Sequence, residues 1–156
     1  MASILHRLAC GLLAIAGLGS AAALAGGSNY GVTPGALPTV SGKVSEWAVP
    51  TPKFARDPAP GADGAIYIAV MQGNRIARFE PMAQRFVEWE LPPGAKPHGL
   101  VVDAQGRVWY TGNGNGTIGR LDPQSGKVSE FKLPSGGDPH TIVLAADGTL
   151  WFTVQH

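Results

Sequence analysis

Two histidines occupy the same local context one repeat apart, and their side chains suit acid–base chemistry. His98 follows Pro97 and His140 follows Pro139, so the Pro-His pair recurs after 42 residues. Histidine can accept or deliver a proton near neutral pH. If the two rings converge on one ligand, they could abstract a proton from it, and a cation could stabilise the negative charge that develops. Alternatively, each Pro-His only begins an inner strand, with the ring bonded to a backbone carbonyl.

Two further residues belong with the histidines by position. Arg56 precedes His98 by 42 residues, which predicts that its side chain lines the same site and binds substrate. Asp138 lies two residues before His140 in a Gly-Gly-Asp-Pro stretch, where Lys96 stands one repeat earlier. Aspartate is common in such turns for local reasons, so turn formation is its alternative role.

The histidines are part of an ungapped 42-residue repeat that organises the chain from residue 42 onwards. Glycines and aromatic residues recur at this step, as do acidic residues followed by an aromatic side chain: Gly64, Gly106 and Gly148; Tyr67, Trp109 and Trp151; Glu46, Glu88 and Glu130. Such a repeat predicts one supersecondary unit used several times.

The clearest copy of the repeat contains four short strands bounded by turn residues. The predicted strands are Gly99–Asp103, Arg107–Thr111, Thr117–Asp122 and Lys127–Leu133. Four strands in about 40–45 residues is the size of a β-propeller blade. The sequence therefore predicts an all-β propeller of four-stranded blades, in which equivalent residues of neighbouring blades lie side by side around the central axis.

The chain divides into a targeting segment, a leader and a partial propeller. Residues 1–25 have the basic start, apolar run and Ala-Leu-Ala ending of a cleaved signal peptide, which predicts a periplasmic or secreted bacterial protein. Residues 26–41 are predicted to be a flexible leader. The propeller segments are predicted at 42–50 (a strand closing the ring), 55–92 (blade), 97–134 (blade) and 139–156 (truncated blade). We therefore expect about two and a half blades, an N-terminal fragment of a larger propeller.

Composition excludes several classes of protein. Twelve basic and eleven acidic side chains leave a net charge of +1, which gives no reason to expect nucleic-acid binding. We also expect no membrane association once the signal peptide is removed. A single cysteine excludes a disulfide framework and a cysteine-based zinc site. No charge pattern identifies a protein partner.

Two stretches carry a resemblance to a known family. KPHGLVVDAQGRVWYTGNGNGTIGRLDPQSGKVSEFKLP and DPHTIVLAADGTLWFT resemble the streptogramin lyase (virginiamycin B lyase) family over about residues 43–156. The resemblance implies a seven-bladed propeller that linearises cyclic depsipeptides at a lactone ester. It implies cleavage by elimination, with Mg²⁺ and a histidine base.

The same resemblance assigns roles to individual residues. His140 matches the general base and His98 the substrate-contacting histidine. Asp138 matches an acidic metal ligand, and Gln155 stands where the family has a glutamate ligand. Because a neutral amide is a weaker ligand for a hard cation than a carboxylate, Gln155 departs from the pattern.

Two other functions remain open at the level of sequence. Propellers often serve as binding scaffolds without catalysis. Gln155 favours a binding function, because it stands where the family has a glutamate ligand. A lactone hydrolase of the gluconolactonase type would need acidic ligands converging from several blades, and these residues do not supply that set. The expected ligand is a small cyclic ester or peptide.

Overall fold

The computed structural model describes residues 4–10 and 42–156, and the strands are the only regular elements in these ranges. In chain order they are β1 Ile4–Cys10, β2 Gly42–Ala48, β3 Ala55–Pro60, β4 Ile66–Val70, β5 Arg75–Glu80, β6 Arg85–Glu90, β7 Pro97–Val102, β8 Val108–Gly112, β9 Thr117–Leu121, β10 Val128–Lys132, β11 Asp138–Leu144 and β12 Leu150–Gln155. The described part of the chain holds no helix of the length and apolarity needed to cross a membrane.

The repeat forms sheets in which each strand pairs with the next along the chain. Strands β3 to β6 make one antiparallel four-stranded sheet and β7 to β10 a second, while β11 and β12 form a two-stranded sheet. The predicted all-β architecture of four-stranded blades is therefore confirmed. Each strand end in the second sheet lies within two residues of its predicted position, because local turn residues determine these ends.

The N-terminal elements are described separately from the blades. The blades belong to a compact unit containing Ala48–His156, whereas most of β2 belongs to a second unit. Strand β2, predicted to close the ring, pairs with β1 in a two-stranded sheet. Apart from residues 4–10, the predicted signal peptide (1–25) and leader (26–41) lie outside the described residues, so the exported location stays a prediction.

The hydrophobic core lies between the two four-stranded sheets. Tyr67 and Tyr110, from corresponding middle strands, are almost fully buried in it, together with small and branched side chains. Tyr67 also stacks on Trp89, with ring centroids 6.5 Å apart. Trp151, which occupies the repeat position of Tyr67 in the two-stranded sheet, is 65 % exposed. Burial of the repeated aromatic thus depends on a neighbouring sheet.

The first strands of the three sheets lie next to one another in sequence order, with β7 between β3 and β11. Each of them carries a β-bulge near its start, at Arg56-Asp57, His98-Gly99 and His140-Thr141. A bulge bends the strand and changes the direction of a side chain, and bulges are frequent beside active sites. The three bulges occupy the same place in each repeat, so they carry corresponding residues.

Candidate functional site

The structure brings the two predicted histidines into direct contact. Their ring centroids are 3.5 Å apart and the planes are inclined by 37°. His98 lies on β7 and His140 on β11, so the contact joins two neighbouring sheets. Convergence of the Pro-His positions follows from the side-by-side packing of the first strands.

Close approach of β7 to β11 requires a glycine beside His98. A Cβ atom added to Gly99 would lie 2.6 Å from the carbonyl oxygen of His140 and 3.2 Å from the amide nitrogen of Ile142. Both neighbours are backbone atoms and cannot move aside cheaply. Gly99 therefore permits the separation at which the two rings meet.

Two polar side chains of the second sheet bond to the backbone of β11. The hydroxyl of Thr111, which is fully buried, donates to the carbonyl oxygen of His140 at 2.7 Å and accepts the N–H of Gly99 at 2.8 Å. Asn113 Nδ2 donates to the carbonyl oxygen of Pro139 at 3.2 Å. Neither residue is among the predicted site residues, although threonine recurs at the repeat position of Thr111, as Thr153.

His98 is buried without the hydrogen bonds that a buried imidazole normally makes. Its exposed fraction is 5 %, and neither ring nitrogen has a hydrogen-bond partner among the described residues. The nearest acidic group is Asp57 Oδ2, 3.9 Å from Nδ1, which is beyond hydrogen-bond distance. The alternative in which this ring bonds a backbone carbonyl is therefore not observed.

Burial lowers the pKa of His98 below its ordinary value. Loss of solvation is the largest cause, and the charges of His140 and Arg56 act in the same direction, while Asp57 opposes them. His98 is consequently a neutral imidazole near pH 7. In this state it has one N–H donor and one acceptor nitrogen, both unused by the described residues.

His140 is more accessible than His98. It is partly exposed, and its Nδ1 lies 3.3 Å from the hydroxyl oxygen of Thr141. An accessible imidazole beside a buried neutral one can receive a proton from a bound molecule. The two histidines thus occupy different environments although their repeat positions are equivalent.

Arg56 lies on β3 beside β7, and its side chain is exposed. The guanidinium carbon stands 4.4 Å from the centre of the Phe54 ring, a cation–π contact at the surface. The Arg56 charge also contributes to the lowered pKa of His98. It is therefore available near the histidine pair but is not hydrogen-bonded to it.

The two residues that the family resemblance assigns to a metal face each other across β11 and β12. Asp138 and Gln155 are directly paired in the register, and Asp138 Oδ2 lies 3.4 Å from His156 Nδ1. Among residues 4–10 and 42–156, no group of three or more histidine, cysteine or acidic side chains could hold a metal ion. One carboxylate opposite an amide does not make a complete Mg²⁺ site, so the described residues do not fit this cation.

A separate cleft lies between the two four-stranded sheets. It has a volume of about 700 Å³ and is lined by Tyr67, Trp89 and several charged side chains. The charged groups are already paired: Arg78 contacts Asp63 and Glu80. Because the cleft contains neither histidine, it is not the candidate site.

Comparison with solved structures places the fold among lyase propellers. Virginiamycin B lyase from Staphylococcus aureus matches with a TM-score of 0.66 and 29% identity, over 72% of this chain and 39% of that one. A catalytically inactive histidine-to-alanine variant of the same enzyme, solved with quinupristin, matches with the same values. A gluconolactonase from Xanthomonas campestris matches at 23% identity and a TM-score of 0.56, over 65% of this chain and 35% of that one. At this identity the likeness concerns the fold alone.

The chain spans about two fifths of the length of the lyases that it resembles. A comparison with curated proteins found no match. The model of the virginiamycin B lyase family matches residues 35–156, which include both four-stranded sheets and the histidine pair. This chain therefore belongs to the virginiamycin B lyase family.

Proposed function

We propose that the protein is an exported carbon–oxygen lyase that opens a cyclic depsipeptide or a related cyclic ester by elimination. The observation that carries the proposal is the contact between a buried neutral histidine, His98, and an accessible one, His140. Family membership supports the reaction class. A histidine is also the residue replaced in the catalytically inactive S. aureus variant.

In the proposed reaction His140 acts as the general base. Its imidazole takes the proton from the carbon next to a carbonyl group of the substrate. The electron pair of that C–H bond forms a carbon–carbon double bond as the neighbouring carbon–oxygen bond of the ester breaks. The ester oxygen leaves as a carboxylate, so the ring opens without addition of water and the product has the mass of the substrate.

His98 and Arg56 would bind the substrate. The free N–H and lone pair of His98 can each hydrogen-bond a peptide or ester group, and burial keeps this ring neutral. Negative charge develops on the carbonyl oxygen during proton removal, and a nearby cation stabilises it. Arg56 is the cation available from β3. Mg²⁺ stays a prediction of the family resemblance and enters no step proposed here.

The direct test uses quinupristin, a molecule bound by the S. aureus relative. The full chain is incubated with it, with and without a chelator, and the product is analysed by mass spectrometry. We expect ring opening at unchanged mass, and loss of this activity in His140→Ala. Met82→Ala, at a position 96 % exposed in the turn between β5 and β6, is the control and should retain activity.

A non-enzymatic binding propeller is the second candidate. It is supported by Gln155, whose neutral amide stands opposite Asp138 where the family pattern has a carboxylate. In this case quinupristin or another cyclic depsipeptide would bind without ring opening. A mass gain of one water would instead identify a lactone hydrolase. If the protein neither binds nor converts this substrate, both functions are contradicted for it.

A further inference from the structure

We infer that Thr111 is a positioning residue, whose hydroxyl couples the two sheets and determines how the rings of His98 and His140 meet. The inference rests on the proposed function for its catalytic consequence but not for its structural content. The Thr111 hydroxyl links the backbone next to His98, through the N–H of Gly99, to the carbonyl oxygen of His140. One buried oxygen atom therefore connects both Pro-His segments.

The bulge in β7 lies opposite Thr111. Pro97 pairs with Gly112 and Leu100 with Tyr110, so His98 and Gly99 together lie opposite Thr111. The bulge takes the N–H of Gly99 out of the regular ladder, and the Thr111 hydroxyl accepts it instead. A buried N–H left without a partner is costly, so the hydroxyl stabilises the bulge that orients His98.

The three repeats differ in the residue at this position. The corresponding residue of the two-stranded sheet is Thr153, which accepts the N–H of Thr141 at 3.2 Å and so serves the bulge that contains His140. The corresponding residue of the first sheet is Ala69, opposite Arg56-Asp57. A hydroxyl thus accompanies both Pro-His bulges and is absent from the Arg-Asp bulge.

Thr111 and Thr153 differ in the hydrogen bonds that their hydroxyl groups make. Thr111 also donates across the sheet boundary to the carbonyl oxygen of His140, and it is fully buried. Thr153 is exposed, and its bond lies within its own sheet. Thr111 therefore combines bulge support with a bond between sheets, whereas Thr153 gives a natural control for bulge support alone.

The test compares Thr111→Val with Thr153→Val in the full chain by NMR. Valine keeps the branched shape and removes the hydroxyl. In the unsubstituted chain we expect ring-current shifts of the His98 and His140 ring protons and nuclear Overhauser effects between the rings. Thr111→Val should reduce both signals, Thr153→Val should retain contact between the rings, and Thr111→Ser should restore the original spectrum.

The catalytic arm measures turnover of quinupristin by the same variants. Because a misplacement of about 1 Å can cost about 100-fold in rate, we expect Thr111→Val to lower kcat by about 10- to 100-fold. The effect on KM should be smaller, and Thr111→Ser should recover most of the loss. If the unsubstituted chain has no lyase activity but Thr111→Val still separates the rings, the proposed function fails and the positioning role stands.

Two results would overturn the inference. One is a Thr111→Val protein whose rings keep their contact, even if its melting temperature falls. The other is an equal loss of ring contact in Thr111→Val and Thr153→Val, which would assign the effect to bulge support. If Thr111→Val does not fold, Thr111→Cys replaces it in the test. A thiol keeps a similar volume but forms weaker hydrogen bonds than a hydroxyl. Unchanged contact between the rings in Thr111→Cys would contradict the positioning role of Thr111.

Discussion

His98 and His140 lie 42 residues apart in the chain, yet their ring centroids are separated by only 3.5 Å. The contact joins a ring that is nearly inaccessible to water to one that is partly exposed. Since both histidines lie near the start of corresponding strands, the difference arises from their neighbours. His98 has β3 on one side and β11 on the other. In the proposed reaction, His98 binds the substrate and His140 takes the proton.

The burial of His98 predicts that stability falls in mild acid. The pKa of His98 is lowered in the folded protein relative to its ordinary value of 6.5. Above pH 6.5 both folded and unfolded chains carry a neutral ring. As the pH falls below this value, the unfolded chain binds the proton first, so the free energy of unfolding decreases until the folded pKa is passed.

Urea denaturation at about pH 7.5 and about pH 5.5 measures this effect. His98→Gln should reduce the pH dependence. The control is His156→Gln, at a side chain that is 87% exposed. This variant should keep the pH dependence of the unsubstituted chain. Equal pH dependence in the unsubstituted chain and His98→Gln would show that His98 is not the responsible group.

Gly99→Ala should disturb the histidine contact. The new methyl group would meet the carbonyl oxygen of His140 at 2.6 Å, and relief requires a shift between β7 and β11. We expect a loss of about 1–3 kcal/mol in the free energy of unfolding, as for an overpacked core. The ring-current shifts of the histidines should change with it.

Gly106→Ala is the matched control for that substitution. At Gly106 the added Cβ has no atom within 4 Å, but φ is +76°, so the cost of about 1–2 kcal/mol comes from backbone strain. In Gly106→Ala, the ring-current shifts of His98 and His140 should be unchanged. If Gly99→Ala also left these signals unchanged, the steric account of the close approach would be wrong.

Glu130 should prove important for the stability of the second sheet. Its carboxylate accepts hydrogen bonds from the hydroxyl of Tyr110 at 3.0 Å and from Asn115 Nδ2 at 3.1 Å. Tyr110 is fully buried. Glu130→Ala leaves these donors without their acceptor, and we expect a loss of about 1–3 kcal/mol in the free energy of unfolding.

The comparison for Glu130 is Glu90→Ala, measured by the same urea titration. Glu90 contacts Arg75 at 3.5 Å and its side chain is 72% exposed. Such surface pairs contribute about 0–1 kcal/mol. Similar losses in the two variants would contradict a special role for the hydrogen bonds that Glu130 accepts around the buried Tyr110.

Gln155→Glu should increase the affinity for Mg²⁺. The substitution places a second carboxylate directly opposite Asp138 in the β11–β12 register. Since Mg²⁺ prefers carboxylate oxygens, we expect tighter binding than in the unsubstituted chain. Isothermal titration calorimetry with MgCl₂, before and after treatment with a chelator, measures the difference.

Val154→Glu provides the control for added charge. Val154 neighbours Gln155 on β12 and therefore points to the opposite face of the sheet. This variant should not gain the same affinity. An equal increase in both variants would mean that the added negative charge, and not its position opposite Asp138, attracts the cation.

The blade architecture could be predicted from residues 42–156 because it depends on local patterns. Gly106 has a positive φ, and its N–H donates to the carbonyl oxygen of Asp103. This turn ends one strand and begins the next. The same turn recurs at Gly148, which bonds back to Ala145. Turns of this kind are determined within a few residues, so their spacing in the sequence is enough to predict the strands.

The identity of the facing histidines followed from the repeat, since equivalent positions of adjacent blades must lie side by side. Their environments did not follow, because burial is determined by residues distant in the chain. Thr111 illustrates the difference. The sequence alone determined that threonine recurs on a middle strand, whereas only the tertiary structure decided that its hydroxyl meets the carbonyl oxygen of His140, 29 residues away. The physical reason is that sheet-to-sheet packing, and no local propensity, selects the partner of a buried polar atom.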